Sequence, residues 1–255
     1  SKRDGNFEIY TAAPDGSDAR NLTQNLTHDG EPAWSPDHLR IAFDSDRGGG
    51  FDIFVMNADG SNVVQLTTEP APDGYPAWSP DGTKIAFISF RDGNSEIYVM
   101  DRDGKNPKRL TRNASDDSHP VWSPDGDRIA FHSNRDGNFE IYVMNPDGSE
   151  VRNLSNAPGA DVNPAWAPNG NRLAFDSTRD GGKPELYVMG ADGSLPTRLT
   201  TNAAIDTWPA WSPDGGRLAF QSDATSDLEI YTIAVGGGAP KRLTASPGDD
   251  AEPNW

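Results

Sequence analysis

The sequence predicts an all-β fold, a six-bladed β-propeller of four-stranded antiparallel blades. Three observations carry this expectation. A tryptophan two residues after a proline recurs at Trp34, Trp78, Trp122, Trp166, Trp211 and Trp255, with spacings of 44, 44, 44, 45 and 44. Each unit so delimited divides into four short strand-like runs separated by turn signals, and none has the 3.6-residue period or the caps of a helix. The chain is this unit and nothing else, so residues 1–255 form one domain. A period near 44 with four antiparallel strands is the arithmetic of a propeller blade. A linear array would need polar end caps, and neither terminus resembles one.

The unit from Trp78 to Trp122 shows the elements in order. Pro-Ala-Trp is strand A. Ser-Pro-Asp-Gly follows as a tight turn, with Pro fixing φ and Gly accepting a positive one. Ile-Ala-Phe is strand B, a continuous apolar run suited to burial on both faces. Arg-Asp-Gly-Asn forms a hairpin turn, Glu-Ile-Tyr-Val-Met is strand C, and a second Asp-Gly turn leads to the outer strand D, Arg-Leu-Thr. The termini complement each other: Ser1 to Thr23 supplies strands C and D of a blade, and Ala251 to Trp255 supplies strand A. Joined, they close the ring as a sixth blade. The tally is six A, five B, six C and six D strands, so one strand B is missing, about ten residues equivalent to Ser79–Ile88. Either the sixth blade has a gap where this strand should lie, or the sequence is a fragment of a longer chain; an unpaired gap would expose strand edges to a partner or to self-association.

Composition limits the function. The net charge of −17 repels nucleic acid and anionic lipid, and favours a partner with basic groups or one bridged by a cation. Cysteine is absent, which removes disulfides, thiolate nucleophiles and Cys-ligated metals. No apolar run reaches the roughly 18 residues of a membrane span. No basic-then-apolar leader opens the chain, as expected of a cytoplasmic protein or of a mature secreted form.

No nucleophile elbow, zinc-binding His-Glu-x-x-His, P-loop or dinucleotide fingerprint occurs. Only His28, His38, His119 and His132 are present, and no repeated acid partners them. The loops are uniform: the only insertion is one residue near Gly182–Pro184. Chemistry on repeat scaffolds is usually grafted onto irregular loops. The expectation is therefore no enzyme and no catalytic residue.

Two classes of position remain. An Asp stands five residues before every repeat Trp: Asp29, Asp73, Asp117, Asp161, Asp206 and Asp250. These six are expected to ring the channel mouth, either fixing their loops through backbone N–H groups or, alternatively, holding Ca2+ or Mg2+. No metal ligand set is assigned. The Arg of the Arg-Asp-Gly turn is expected to pair with the acid that opens strand C. The second class varies on an otherwise repetitive frame: Glu31, Tyr75, His119, Asn163, Trp208 and Glu252 follow each Asp by two residues, and Phe90 and His132 lie just beyond strand B. Packing alone would repeat the residue, as it does at Trp and Phe. Diversity at one mouth points to a partner-binding surface with aromatic anchors.

The pattern WSPDG…IAF.S.RDGN.EIYVMN.DGS…LT resembles the repeat of TolB-type β-propellers, six times over and along the entire chain. The resemblance implies a bacterial, periplasmic or secreted binding platform whose loops at one channel mouth dock a protein, peptide or glycan. Two alternatives stay open beside it: an accessory or gating propeller of a peptidase or lyase, and a purely structural module with a cation in its channel.

Overall fold

The structure, a computed structural model, describes residues 1–255. Its elements follow from the turn chemistry and the apolar runs. Five four-stranded antiparallel sheets are arranged as blades, each with its strands in sequence order from A to D. Blade one comprises Asp29–Trp34, Arg40–Ser45, Asp52–Asn57 and Val64–Gln65. Blade two comprises Asp73–Trp78, Lys84–Ser89, Glu96–Asp101 and Lys108–Arg109. Blade three comprises Asp117–Trp122, Ile129–Ser133, Glu140–Met144 and Arg152–Asn153. Blade four comprises Asp161–Trp166, Arg172–Ser177, Glu185–Gly190 and Thr197–Arg198. Blade five comprises Asp206–Trp211, Arg217–Ser222, Glu229–Ala234 and Lys241–Arg242. No helix is present.

The blades pack through the faces of strands B and C. Phe43, Phe87, Phe131, Phe175 and Phe220 of strand B are wholly enclosed. One cluster shows the repeat: Ala42, Ile53 and Val55 of blade one meet Trp78, Ile85, Phe87, Tyr98 and Met100 of blade two. At the rim, the Gly of the C–D turn abuts the preceding sheet in blades one to four, though not in blade five. A Cβ on Gly104, at φ +82°, would lie 2.6 Å from the carbonyl oxygen of Leu66. Only Gly allows that approach and that φ together.

Strand A is longer than Pro-Ala-Trp. It begins at the Asp and contains a β-bulge, between Gly30 and Ala33 in blade one and at the same place in the other four. The residues at the bulge are the variable residue and the Pro, which has no N–H to leave unpaired.

Five complete blades stand where the repeat count predicts six. The remaining residues make a two-stranded sheet, Tyr10–Thr11 with Arg20–Asn21, and an irregular segment at Ala251–Trp255. Without a strand B between them, neither the C-strand edge nor the expected closing strand A has a ladder partner, so the first is short and the second is not a strand. The two pieces nevertheless touch. Lys2 N–H donates to the Asp249 carbonyl at 2.7 Å, and Arg3 Nη2 bonds Asp250 at 3.0 Å. The C-terminal segment also repeats one link found across the blades and one that blade five makes. Asp250 N–H donates to the Leu228 carbonyl as Asp73 N–H does to that of Phe51. Trp255 Nε1 donates to the Ala210 carbonyl as Trp211 Nε1 does to that of Ala165.

Candidate functional site at the channel mouth

Strand A is the inner strand of each blade. The x-Pro-x-Trp segments from all five blades and from Glu252–Trp255 surround a central cavity of about 300 Å3. At one end of it lie the six variable residues. Each has left-handed backbone: φ is 51° at Glu31, 55° at Tyr75, 53° at His119, 54° at Asn163, 61° at Trp208 and 54° at Glu252. None is Gly, so each position costs roughly 1–2 kcal/mol of backbone strain unless its surroundings offset it.

The offset comes from the neighbouring blade. The residue after the strand B Phe accepts the N–H of the left-handed residue one blade on. Asp176 Oδ1 accepts from Trp208 at 3.1 Å, Gln221 Oε1 from Glu252 at 3.0 Å and His132 Nδ1 from Asn163 at 3.3 Å. Asp44 does the same for Tyr75. Ile88 has no acceptor to offer His119. Before Glu31 there is no strand B, and the Glu252 carboxylate takes the Glu31 N–H at 2.9 Å. His132, expected on the partner-binding surface, therefore also holds the backbone of Asn163.

The side chains converge. Tyr75 and Trp208 stack with ring centroids 5.9 Å apart, and His119 approaches Trp208 at 4.9 Å and Tyr75 at 5.5 Å. These half-buried rings come from three blades and plug one side of the channel. They contact one another instead of standing apart on a rim. Asn163 is buried beside them, with its Oδ1 3.1 Å from His119 Nδ1 and its amide on Asp176 at 2.9 Å. Phe90 is separate from this group and exposed on the B–C turn. On the other side Glu31, Asp44 and Glu252 lie together. A Cβ on Gly74 would come within 2.8 Å of Asp44 Oδ2.

The electrostatics follow from this enclosure. Burial and then the Glu252 charge push Asp44 up to about 7, against the amides of Tyr75 and Gly30. Burial pushes Asp176 up to about 7, against the Trp208 and Asn163 donors. Burial, with Glu252 and Asp44 nearby, raises Glu31 well above the ordinary carboxylate range. Burial holds His119 down to about 4 and His132 down to about 3, so both imidazoles are neutral at pH 7. The mouth is thus half apolar and aromatic, half acidic.

The six aspartates of the expected ring each have a side-chain partner. All six are buried, and none is among the residues lining the central cavity. Arg47, Arg91, Arg135, Arg179 and Arg3 of the B–C turns bind Asp29, Asp73, Asp117, Asp161 and Asp250 at 2.7 to 3.0 Å. Asp206 has Ala224 at the Arg position and accepts instead from Ser222 and Asn202. The turn Arg thus pairs with the strand A Asp and not with the strand C acid. That acid serves strand D: Glu96 binds Arg109 and Glu185 binds Arg198, both at 2.7 Å. No group of three or more His, Asp or Glu side chains is arranged to hold a metal ion.

The family described as TolB beta propeller domain matches residues 1–73, 69–157 and 151–255, the whole chain. No curated protein matches the sequence. Among solved structures, TolB from Acinetobacter baumannii superposes with a TM-score of 0.89 at 23% identity, covering 97% of this chain and 62% of that one. The chain thus spans less than two thirds of that relative's length. A putative TolB from Agrobacterium tumefaciens gives 0.77 at 27% identity, over 89% of this chain and 84% of the other. An oligogalacturonate lyase in complex with manganese shares the fold at a TM-score of 0.65 and 16% identity, covering 96% and 74%. With blades, bulges and turn motifs repeated along its length, this chain belongs to the TolB β-propeller domain family.

Proposed function

We propose that this propeller is a non-catalytic binding module of the bacterial envelope or exterior. It docks a basic segment of a partner protein at the channel mouth bordered by the D–A and B–C loops. The observation that carries the reading is the ring of six non-glycine residues in left-handed backbone. Each is strained, four are held by an acceptor on the preceding blade and Glu31 by Glu252, and together they bring Tyr75, His119 and Trp208 against one another beside Glu31 and Glu252. Strain maintained at one mouth of a repeat scaffold, with a different side chain in every blade, fits selection for recognition. Large aromatic side chains beside a carboxylate pair suit an Arg- or Lys-containing segment. The TolB-like relatives support a binding role at the level of the family.

Selection of peptides from a random display library against the full chain tests this. Enrichment of basic sequences is expected. Binding should weaken at least tenfold in Trp208→Ala and in Glu31→Gln, and should fall as salt rises. Binders indifferent to Trp208, Tyr75 and Glu31 would overturn the site.

We further propose that the two-stranded sheet and Ala251–Trp255 are parts of one sixth blade lacking its strand B. The contacts of Lys2 with Asp249 and of Arg3 with Asp250 support this, as does the repeated Trp255 link to Ala210.

A further inference from the structure

Two side-chain positions hold the mouth together in the other blades, and blade two gives up both. At the first, Asp44, His132, Asp176 and Gln221 each accept the N–H of the left-handed residue next around the ring. Blade two has Ile88 there, which is buried and offers His119 no acceptor. At the second, two residues on, Asp46, Asn134, Thr178 and Asp223 accept the N–H of His28, Asp116, Ala160 and Ile205 in the D–A loop of their own blade. Blade two has Phe90 there, and Phe90 is 42% exposed. Its loop partner is Pro72, which has no N–H to be served. Only the backbone link remains, from the Phe90 N–H to the Pro72 carbonyl at 3.0 Å.

The two replacements differ in cost. Phe90 opposite Pro72 loses nothing, because donor and acceptor are removed together. Ile88 leaves the N–H of a strained residue, His119 at φ 53°, without the partner its equivalents have. Packing does not require it: Ile88 lies outside the apolar clusters that join the blades, and the other blades carry a polar residue after the same Ala-Phe. An apolar residue kept against stability fits a role in recognition. Its ladder partner is Gly74, next to Tyr75, and Pro70 and Pro72 are exposed in the adjoining loop. Blade two thus carries apolar side chains from Tyr75 at the channel to Phe90 on the rim.

Charge indicates what covers them. Glu69 is exposed in the same loop, and the Glu31, Glu252 and Asp44 charges, after burial, raise the Tyr75 phenol above its usual range. The net charge of −17 repels an anionic lipid surface, which leaves a polypeptide as the source of the apolar group.

We propose that blade two is the apolar recognition sector of this mouth. Phe90, Pro72 and Tyr75 seat a large aliphatic or aromatic side chain of the same partner segment whose Arg or Lys faces Glu31 and Glu252. The inference rests on the docking reading above and narrows the partner to a basic segment with an apolar residue near its cation.

The probe is a display library of peptides with one fixed Arg and random flanks, panned on the full chain and on an Ile88→Gln/Phe90→Asn variant. Gln and Asn stand at these positions in blades five and three, so the variant suits the fold. The parent should enrich Leu, Met, Phe or Trp near the Arg. The variant should lose that preference, and a peptide selected on the parent should bind it at least tenfold more weakly. Ile88→Gln alone should protect the His119 amide from hydrogen exchange. Arg peptides selected without an apolar preference, or selected equally on the variant, overturn the proposal and leave the basic docking site standing. A His119 amide as protected in the parent as those of Asn163 and Trp208 also overturns it, since Ile88 would then give up nothing. A library with a fixed Gln that enriches as well as the Arg library removes the docking reading itself, and this sector with it.

Discussion

Asp176 is enclosed between two blades, and the cost of its charge has a definite pH signature. Its carboxyl titrates near 3.8 in the unfolded chain and is pushed up to about 7 in the folded one, chiefly by burial. Between those values the folded state binds more protons, so this group's contribution is fully favourable below about pH 4 and is lost as pH rises to 7. His119 and His132 act in the opposite sense. Burial lowers them from 6.5 to about 4 and about 3, so their contribution is complete above pH 6.5 and lost on acidification. Asp176→Asn isolates the carboxyl. From pH 5 to pH 8 the variant should gain on the parent by about 2–3 kcal/mol in urea unfolding, an interval that spans roughly two of the shifted units. A difference constant across that range would contradict a raised carboxyl. Arg135 and Asp117 form an ion pair 2.7 Å apart, with the Asp117 side chain fully buried. Breaking a buried pair costs about 3–5 kcal/mol in general. Here Arg135 is about a fifth exposed, and blade five shows that a Ser hydroxyl can serve the aspartate where the Arg is missing. Arg135→Ala should therefore cost less, about 1–3 kcal/mol by chemical denaturation.

Each blade is gauged by its turns. Gly104 and Gly137 both have positive φ, +82° and +111°, yet only Gly104 faces a neighbour, the Leu66 carbonyl. Alanine at Gly137 should cost about 1 kcal/mol for its backbone conformation alone. Alanine at Gly104 adds an overlap with the preceding blade's backbone, and should cost at least about 1 kcal/mol more in the same thermal scan. Equal costs would mean that the blades are not in tight contact at the rim. Strands B and C were readable from sequence because burial on both faces leaves unbroken apolar runs such as Ile-Ala-Phe. The start of strand A was not. Its bulge carries Glu, Tyr, His, Asn or Trp at a positive φ that Gly would have announced. The Arg partner was misplaced because Glu140 lies only 5 positions from Arg135 in sequence and Asp117 18, while the strand register and not sequence distance decides which acid Arg135 reaches. The inter-blade acceptors were readable in part. Asp44, His132, Asp176 and Gln221 look unrelated as residue types, yet all accept a hydrogen bond, and Ile88 is the exception.

At the scale of the whole molecule, the chain returns to its beginning through few contacts. Arg3 and Asp250 are 247 positions apart and 3.0 Å distant, with Asp250 almost fully covered. In every other pair of this kind the Arg and the Asp lie 18 positions apart within one blade. Local geometry is otherwise the same, down to the Arg Nε donating to a Ser hydroxyl: Ser1 here at 2.8 Å, Ser45 in blade one at 2.9 Å. If the ends form one blade in solution, a double-mutant cycle of Arg3→Ala and Asp250→Ala should give a coupling of about 0.5–3 kcal/mol, matching the cycle for Arg135 and Asp117. The single variants should also unfold the terminal sheet ahead of the five complete blades, because the pair holds together two pieces that share few hydrogen bonds. Hydrogen exchange would locate that opening at Ile9–Asn21 and Asp250–Trp255. A coupling near zero, with the local cycle intact, would mean that the ends separate in solution, and the ring would then be an open arc of five blades.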